Sequence, residues 1–107
     1  MYNKFHNMIE DILKGINDYK DIKSIGDFIC KCVGKYFKDV SIYFGKKHGK
    51  RVEYITGSSS DTLNFPEKIE ITEDYYVFIE NFNEINREQK YVFISLLKLI
   101  IKGTGSL

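Results

Sequence analysis

Histidine and cysteine are the side chains best suited to nucleophilic or acid–base chemistry, and this chain has few of them. His6 lies at the border of a predicted amphipathic helix, and His48 lies in a predicted hairpin turn. Cys30 and Cys32 are two residues apart on the second predicted helix, with no histidine near them in the sequence. A cysteine nucleophile needs a neighbouring base, and a metal site needs more ligands than two thiols. We therefore expect both cysteines to be free packing residues, with no disulfide and no metal.

Sequence patterns of the common enzyme classes are missing from the chain. It has no HExxH, GxSxG, Walker or Rossmann pattern. The acidic residues between positions 67 and 88 have a spacing that fits strand edges and helix capping, so no carboxylate pair stands out as acid and base. The sequence predicts a protein that is not an enzyme and needs no cofactor.

Two polar segments could in principle contact anions. Residues 57–62 could hold an anion with backbone N–H groups, but they lack the lysine and the following helix of a phosphate-binding loop. Residues 46–51 form a basic turn, and no aromatic residues alternate with it as a stacking platform requires. We expect a solvated loop and a charged hairpin tip, and no binding of nucleic acid.

Length and charge indicate an ordinary globular domain. The chain has 107 residues, with 16 Lys and Arg against 15 Asp and Glu. That length suits one domain, here residues 1–102 with a flexible tail at 103–107, and the net charge of +1 gives no general attraction to nucleic acid or an acidic membrane. No apolar run approaches the length of a membrane span. Free thiols without a secretory signal predict a cytoplasmic protein.

Three helices follow from the apolar periodicity. The first covers residues 3–19, and the second covers residues 24–38 with Ser24 as its N-cap. The third begins at Asn86, where Gln89 completes a capping-box pattern, and ends near Lys102 before Gly103.

Between the second and third helices the periodicity changes to that of strands. Ile42 and Phe44 alternate with polar residues, and residues 47–49 predict a three-residue hairpin loop that pairs Phe44 with Val52 and Ile42 with Tyr54. A second hairpin follows, and its strand at residues 75–79 is apolar on both faces, as in a central strand. We predict an α+β fold, in which two N-terminal helices and one C-terminal helix pack on one face of a mainly antiparallel sheet of at least four strands.

The predicted register places a set of polar and aromatic side chains on the sheet face opposite the helices. These ligand-binding candidates are Tyr43, Arg51, Glu53, Thr72 and Tyr75. Tyrosines with a few polar groups suit a small-molecule floor or a protein contact. The alternative interpretation is a partly solvated face with an internal charge pair between Arg51 and Glu53.

The last helix is apolar over about twice the ~100° arc that a surface helix needs. Its candidates for a dimer or partner interface are Val92, Leu96, Leu99 and Ile100. The first helix of the same chain could cover the additional arc. The alternative is a parallel dimer or a helix of a partner protein.

Two segments resemble the GAF domain family. The first segment looks like the second GAF helix and its following strand, and it comprises residues 24–29, 36–37 and 40–44. The second is similar to the last strand, link and C-terminal helix, and it comprises residues 75–82, 85–89 and 92–101. Members are cytoplasmic sensory modules that often bind cyclic nucleotides, tetrapyrroles or other small molecules on the open sheet face, dimerise through terminal helices and signal to an output domain. Only residues 57–68 stand where typical members carry several tens of residues over the ligand. No cysteine there could attach a bilin, and the family's cyclic-nucleotide contacts have no counterpart.

The predicted function is a non-catalytic regulatory or signalling module, a minimal GAF-like dimerisation or sensory domain. Its expected partner is a second copy, a partner protein or an output domain. The alternatives are a small-molecule receptor that uses the open sheet face, and the regulatory piece of a larger signalling enzyme.

Overall fold

The computed structural model describes residues 3–57 and 66–105 of the chain and confirms the α+β fold. Two helices come first, four strands form an antiparallel sheet, and a third helix follows. The elements are α1 (Lys4–Gly15, followed by a 3-10 helix at Ile16–Asp18), α2 (Ile22–Tyr36), β1 (Ser41–His48), β2 (Arg51–Gly57), β3 (Glu67–Glu70), β4 (Tyr75–Glu80) and α3 (Arg87–Gly105).

The sheet has the strand order β2-β1-β4-β3, and every neighbouring pair is antiparallel. β4 is therefore an inner strand, which confirms the central position predicted from its apolar residues. Its side chains are buried or half-buried along its whole length. Ile79 and Val77 lie opposite Ile42 and Phe44 of β1, and these four side chains lie in the core beneath the helices.

The predicted register of the β1–β2 hairpin is wrong. His48 pairs with Arg51, so the loop has two residues, and Phe44 pairs with Thr56 instead of Val52. Gly49 supplies a φ of +65° at the first loop position, where a two-residue hairpin turn favours glycine. The register shifts between Phe44 and Gly45, which leaves Ile55 as the extra residue of a β-bulge.

One continuous core joins the helices to one face of the sheet. α2 lies so close to β1 and β2 that a Cβ at Gly26 would be 2.5 Å from Cγ2 of Thr56 and 3.1 Å from the Phe44 ring. The Thr56 hydroxyl also donates a hydrogen bond to the Asp27 carboxylate on α2. The helical side chains in this core with no exposed surface are Met8, Ile12, Ile29, Val33, Phe93, Leu97 and Ile101.

The helix boundaries differ from the predictions by a few residues. Asp21, and not Ser24, caps α2, because its carboxylate accepts the backbone N–H of Ser24 at 2.8 Å. The capping box of α3 is confirmed, since Asn86 and Gln89 each accept the other's backbone N–H, at 2.8 and 3.0 Å. α3 continues through Gly103 to Gly105, beyond the predicted start of the tail, and residues 106–107 lie outside the described part of the chain.

A membrane-spanning helix is not among these elements. Within residues 3–57 and 66–105, each helix is too short or too polar to cross a bilayer.

Candidate binding surfaces

The five predicted ligand-binding residues do not share one surface. Tyr43 lies on the face of the sheet that carries no helix, as predicted. Arg51 pairs with His48 and Glu53 pairs with Lys46, positions whose side chains lie on the opposite face. The loop has two residues instead of three, and a register change by an odd number of residues exchanges the two faces of a strand.

Thr72 and Tyr75 lie in a third place, beside α3. Tyr75 pairs with Lys46 and packs against the core, so it also lies on the helix side of the sheet. Together with Thr72 it lines a groove of about 900 Å³ whose other wall includes Ser95 and Leu99 of α3. Two predicted ligand-binding residues therefore lie next to one predicted interface residue.

The helix-free face is an aromatic surface, formed mostly by side chains that the sequence analysis did not select. The Tyr43 ring stacks on Phe78 with centroids 4.6 Å apart, and Tyr54 lies 6.2 Å from Tyr43. Tyr76 lies 6.3 Å from Phe78. Gly45 lies between these rings, where a Cβ would be 2.4 Å from Cγ1 of Val52 and 3.3 Å from the Phe78 ring. We call this set of four rings the aromatic face.

Charged groups lie at both ends of the aromatic face. Nζ of Lys68 lies 4.5 Å from the centroid of the Tyr76 ring, a cation–π contact. At the other end, Glu80 is only 6% exposed. Burial, and secondarily the charge of Glu80, raise the pKa of the Tyr43 hydroxyl. The Tyr43 hydroxyl is therefore protonated at neutral pH.

The outer side of α3 is a second candidate surface. Val92 is 48% and Leu99 71% exposed, whereas Phe93, Leu97 and Ile101 on the opposite side are fully buried. The other two predicted interface residues, Leu96 and Ile100, are half-buried and pack against the core. One alternative had expected the first helix to cover the additional apolar arc of α3. Because Val92 and Leu99 are exposed, the first helix does not cover the whole arc.

Neither cysteine has the environment of a nucleophile. Burial, and secondarily the charge of Asp27, raise the pKa of Cys30 to about 12, and its thiol donates to the carbonyl oxygen of Ile42 at 3.5 Å. Burial also raises the pKa of Cys32. Both side chains are free thiols that pack in or against the core, as predicted. At neutral pH they are protonated and weakly nucleophilic.

A polar cluster connects α1 to α2. The Tyr36 hydroxyl donates to the Asp11 carboxylate at 2.6 Å, and Nζ of Lys35 lies 3.1 Å from the same oxygen. These two hydrogen bonds, that from Tyr36 foremost, hold the pKa of Asp11 below its ordinary value. The cluster therefore fixes the two helices to each other, and this role accounts for its charges without a ligand.

Three other features were considered in the sequence: a histidine on the first helix, a polar loop and a metal site. His6 is exposed and pairs with Glu10 on the next turn of α1 at 3.2 Å. Apart from Gly57, the polar loop at 57–62 lies outside the described residues. The part of the chain that is described contains no group of three or more His, Cys, Asp or Glu side chains able to hold a metal ion.

The two candidate surfaces are assigned from the geometry of this chain alone. No protein-family model, curated protein or solved structure matches the sequence or the fold closely enough to assign a relative.

Proposed function

We propose that this chain is a non-catalytic regulatory module that self-associates through α3. The observation that carries the proposal is the exposure of Val92 and Leu99 on a helix whose opposite side is fully buried. Single exposed apolar residues are common on protein surfaces. An exposed apolar row that runs along a helix for two turns is the arrangement that helix pairing uses.

The spacing of this row fits a second helix. Val92, Leu96 and Leu99 are separated by four and then three residues, which is the d-a-d spacing of a coiled-coil seam. Leu96 is half-buried between its two exposed neighbours, so the row joins the core at its centre. A second α3 packed on the row would cover the side chains that this chain leaves in solvent.

Charges beside the row favour an antiparallel pair. Glu88 and Lys102 occupy equivalent flanking positions at opposite ends of α3, 14 residues or about 21 Å apart along the axis. In an antiparallel pair, Glu88 of one copy lies opposite Lys102 of the other, and the two-fold axis produces this contact twice. A parallel pair, which the sequence analysis considered, keeps the two charges at opposite ends. Charge complementarity therefore points to a second, antiparallel copy as the occupant.

The regulatory part of the proposal rests on the resemblance to GAF domains. In that family, terminal helices pair and pass a signal to an attached domain. The exposed row on α3 would supply the pairing helix in such a role. The raised pKa values of both cysteines favour a packing role for these side chains.

The experiment is the solution mass as a function of protein concentration, measured by light scattering after size exclusion. We expect a mass that rises from 12.6 kDa toward twice that value. Leu99→Glu should keep the protein monomeric, whereas Leu13→Glu, at a 52% exposed leucine on α1, should not. Exchange of both charges by Glu88→Lys with Lys102→Glu should preserve the dimer, and either single change should weaken it. A monomer at every concentration up to about 1 mM would reject the proposal.

A further inference from the structure

Glu80 is a buried carboxylate, and one of its two oxygens has no hydrogen-bond donor among the described residues. It is the last residue of β4 and pairs with Ser41, so strand alternation places its side chain on the helix-free face, next in line after Phe78. The residue is 6% exposed, and its Oε2 atom has no hydrogen-bond donor in the described part of the chain. Burial removes water from a polar group, and a buried acceptor without a donor costs about 1–3 kcal/mol. Such a group in a folded protein calls for a physical explanation.

The rings beside Glu80 provide a surface that attracts positive charge. Tyr43 and Phe78 lie nearly parallel, at 8°, and Tyr54 lies on the outer side of Tyr43 with 58% of its surface exposed. Aromatic ring faces carry negative electrostatic potential and bind cations within about 6 Å. Lys68 already uses this property at the far end of the aromatic face, over Tyr76.

We propose that Tyr43, Tyr54, Phe78 and Glu80 form a binding site for a small organic cation, a flat amidinium or guanidinium compound. Its N–H groups would donate to the Glu80 carboxylate, and its flat body would lie beside the stacked pair of Tyr43 and Phe78. This site goes beyond self-association through α3, because it lies on the other side of the sheet.

The charge of Glu80 favours a cation at this end of β4. A cleft of about 220 Å³ opens where β4 ends. Its lining comprises Glu80, Asn81 and Asn83, the core residues Ile79 and Phe82, and Glu67 and Lys90, whose charges pair with each other. An anion would meet the Glu80 charge, and a neutral flat compound would gain the stacking but not the ionic hydrogen bonds. Charge-assisted hydrogen bonds are about twice as strong as neutral ones. The site should therefore select by charge among compounds of one shape.

The test uses three probes with the same ring and different charge: benzamidine, benzamide and benzoate. Each is titrated into the full chain while backbone amide shifts are recorded by NMR. We expect benzamidine to shift amides near Ser41, Tyr43 and Glu80 saturably, benzamide to bind at least tenfold more weakly, and benzoate to cause no saturable shift. Equal affinities for benzamidine and benzamide, or shifts confined to other parts of the chain, would overturn the proposal.

Variants separate the roles of the carboxylate and the rings. Glu80→Gln should reduce benzamidine affinity to that of benzamide, and Tyr43→Leu should weaken both compounds. Tyr76→Leu, at the far end of the aromatic face, is the matched control and should change affinity less than twofold. Thermal melts establish that each variant is folded. Should Glu80→Gln not fold, the charge series on the unmodified chain and the Tyr43→Leu comparison decide the question.

Discussion

Two leucines on α3 allow the packing of that helix to be tested with identical chemistry. Leu97 and Leu99 are two residues apart in the middle of the helix, and truncation to alanine removes the same atoms and changes helix propensity equally. Leu97 has no exposed surface, whereas Leu99 is 71% exposed. Any difference between Leu97→Ala and Leu99→Ala therefore comes from burial.

The expected difference is large in the monomer. Truncation of a fully buried leucine lowers the free energy of unfolding by about 2–5 kcal/mol. Full burial of a leucine is worth about 1.5–3 kcal/mol, and Leu99 buries less than a third of its surface, so its truncation should lower that free energy by about 1 kcal/mol or less. For a domain of this size each kcal/mol corresponds to roughly 4 °C or more. Leu97→Ala should thus lower Tm by at least about 8 °C, and Leu99→Ala by no more than about half as much.

The assay is urea and thermal unfolding followed by circular dichroism at two protein concentrations. At low micromolar concentration the monomer values apply. At a hundredfold higher concentration, the loss caused by Leu99→Ala should grow if α3 pairs with a second copy, because a dimer stabilises the native state by mass action. Equal losses for the two variants at low concentration would refute the reasoning, since α3 would then not pack through the side that contains Leu97.

Three further predictions concern α2 and its contacts with α1 and with the sheet. The pKa of Cys30 is raised to about 12 in the folded protein, so the unfolded state loses this proton at lower pH than the folded state does. The free energy of unfolding should therefore fall by up to about 1.4 kcal/mol per pH unit above pH ~9. In urea melts at pH ~8.5–10.5, the free energy of unfolding of Cys30→Ala should fall less steeply. Asp11→Asn should lower Tm at pH 7, and the gap to the unmodified chain should close as pH falls through the lowered pKa of Asp11; a gap constant down to pH 2 would contradict this. Gly26→Ala should destabilise by about 1–3 kcal/mol because its Cβ would contact Thr56, whereas the control Gly34→Ala, with open space around it, should stabilise by up to about 1 kcal/mol. Equal effects of the two glycine changes on Tm would contradict the close approach of α2 to the sheet.

Helices could be predicted from the sequence because their signals are local. The reciprocal hydrogen bonds of Asn86 and Gln89 involve two residues three positions apart, which a capping-box pattern specifies directly. The start of α2 was harder to place, because Asp21 and Ser24 are both good N-cap residues. The structure selects Asp21, whose carboxylate also accepts the Ser24 hydroxyl at 3.0 Å.

Strand register could not be predicted, because several loop lengths agree with the same residues. Gly49 has a positive φ that fits a three-residue loop as well as the observed two-residue loop. The two-residue loop places apolar Val52 and Tyr54 on the helix-free face, and the bulge at Ile55 then returns Thr56 to the helix side. The aromatic face depends on these long-range choices and on the pairing of β1 with β4, and it followed from no local pattern.

The two proposed surfaces are close enough in the fold to influence each other. Glu80 ends β4, and two residues later Phe82 packs edge-on against Phe93 of α3, with centroids 5.6 Å apart. A cation that draws the end of β4 toward the aromatic face would therefore act on the helix that we expect to pair. Linkage requires that such an influence be reciprocal. Saturating benzamidine must therefore change the dimer dissociation constant by the square of the factor by which dimerisation changes benzamidine affinity at each of the two sites. Light scattering with and without benzamidine measures the first factor, and NMR titration of the Leu99→Glu monomer against the dimer measures the second. Two factors of one would contradict the coupling and make the two surfaces independent sites on a rigid sheet.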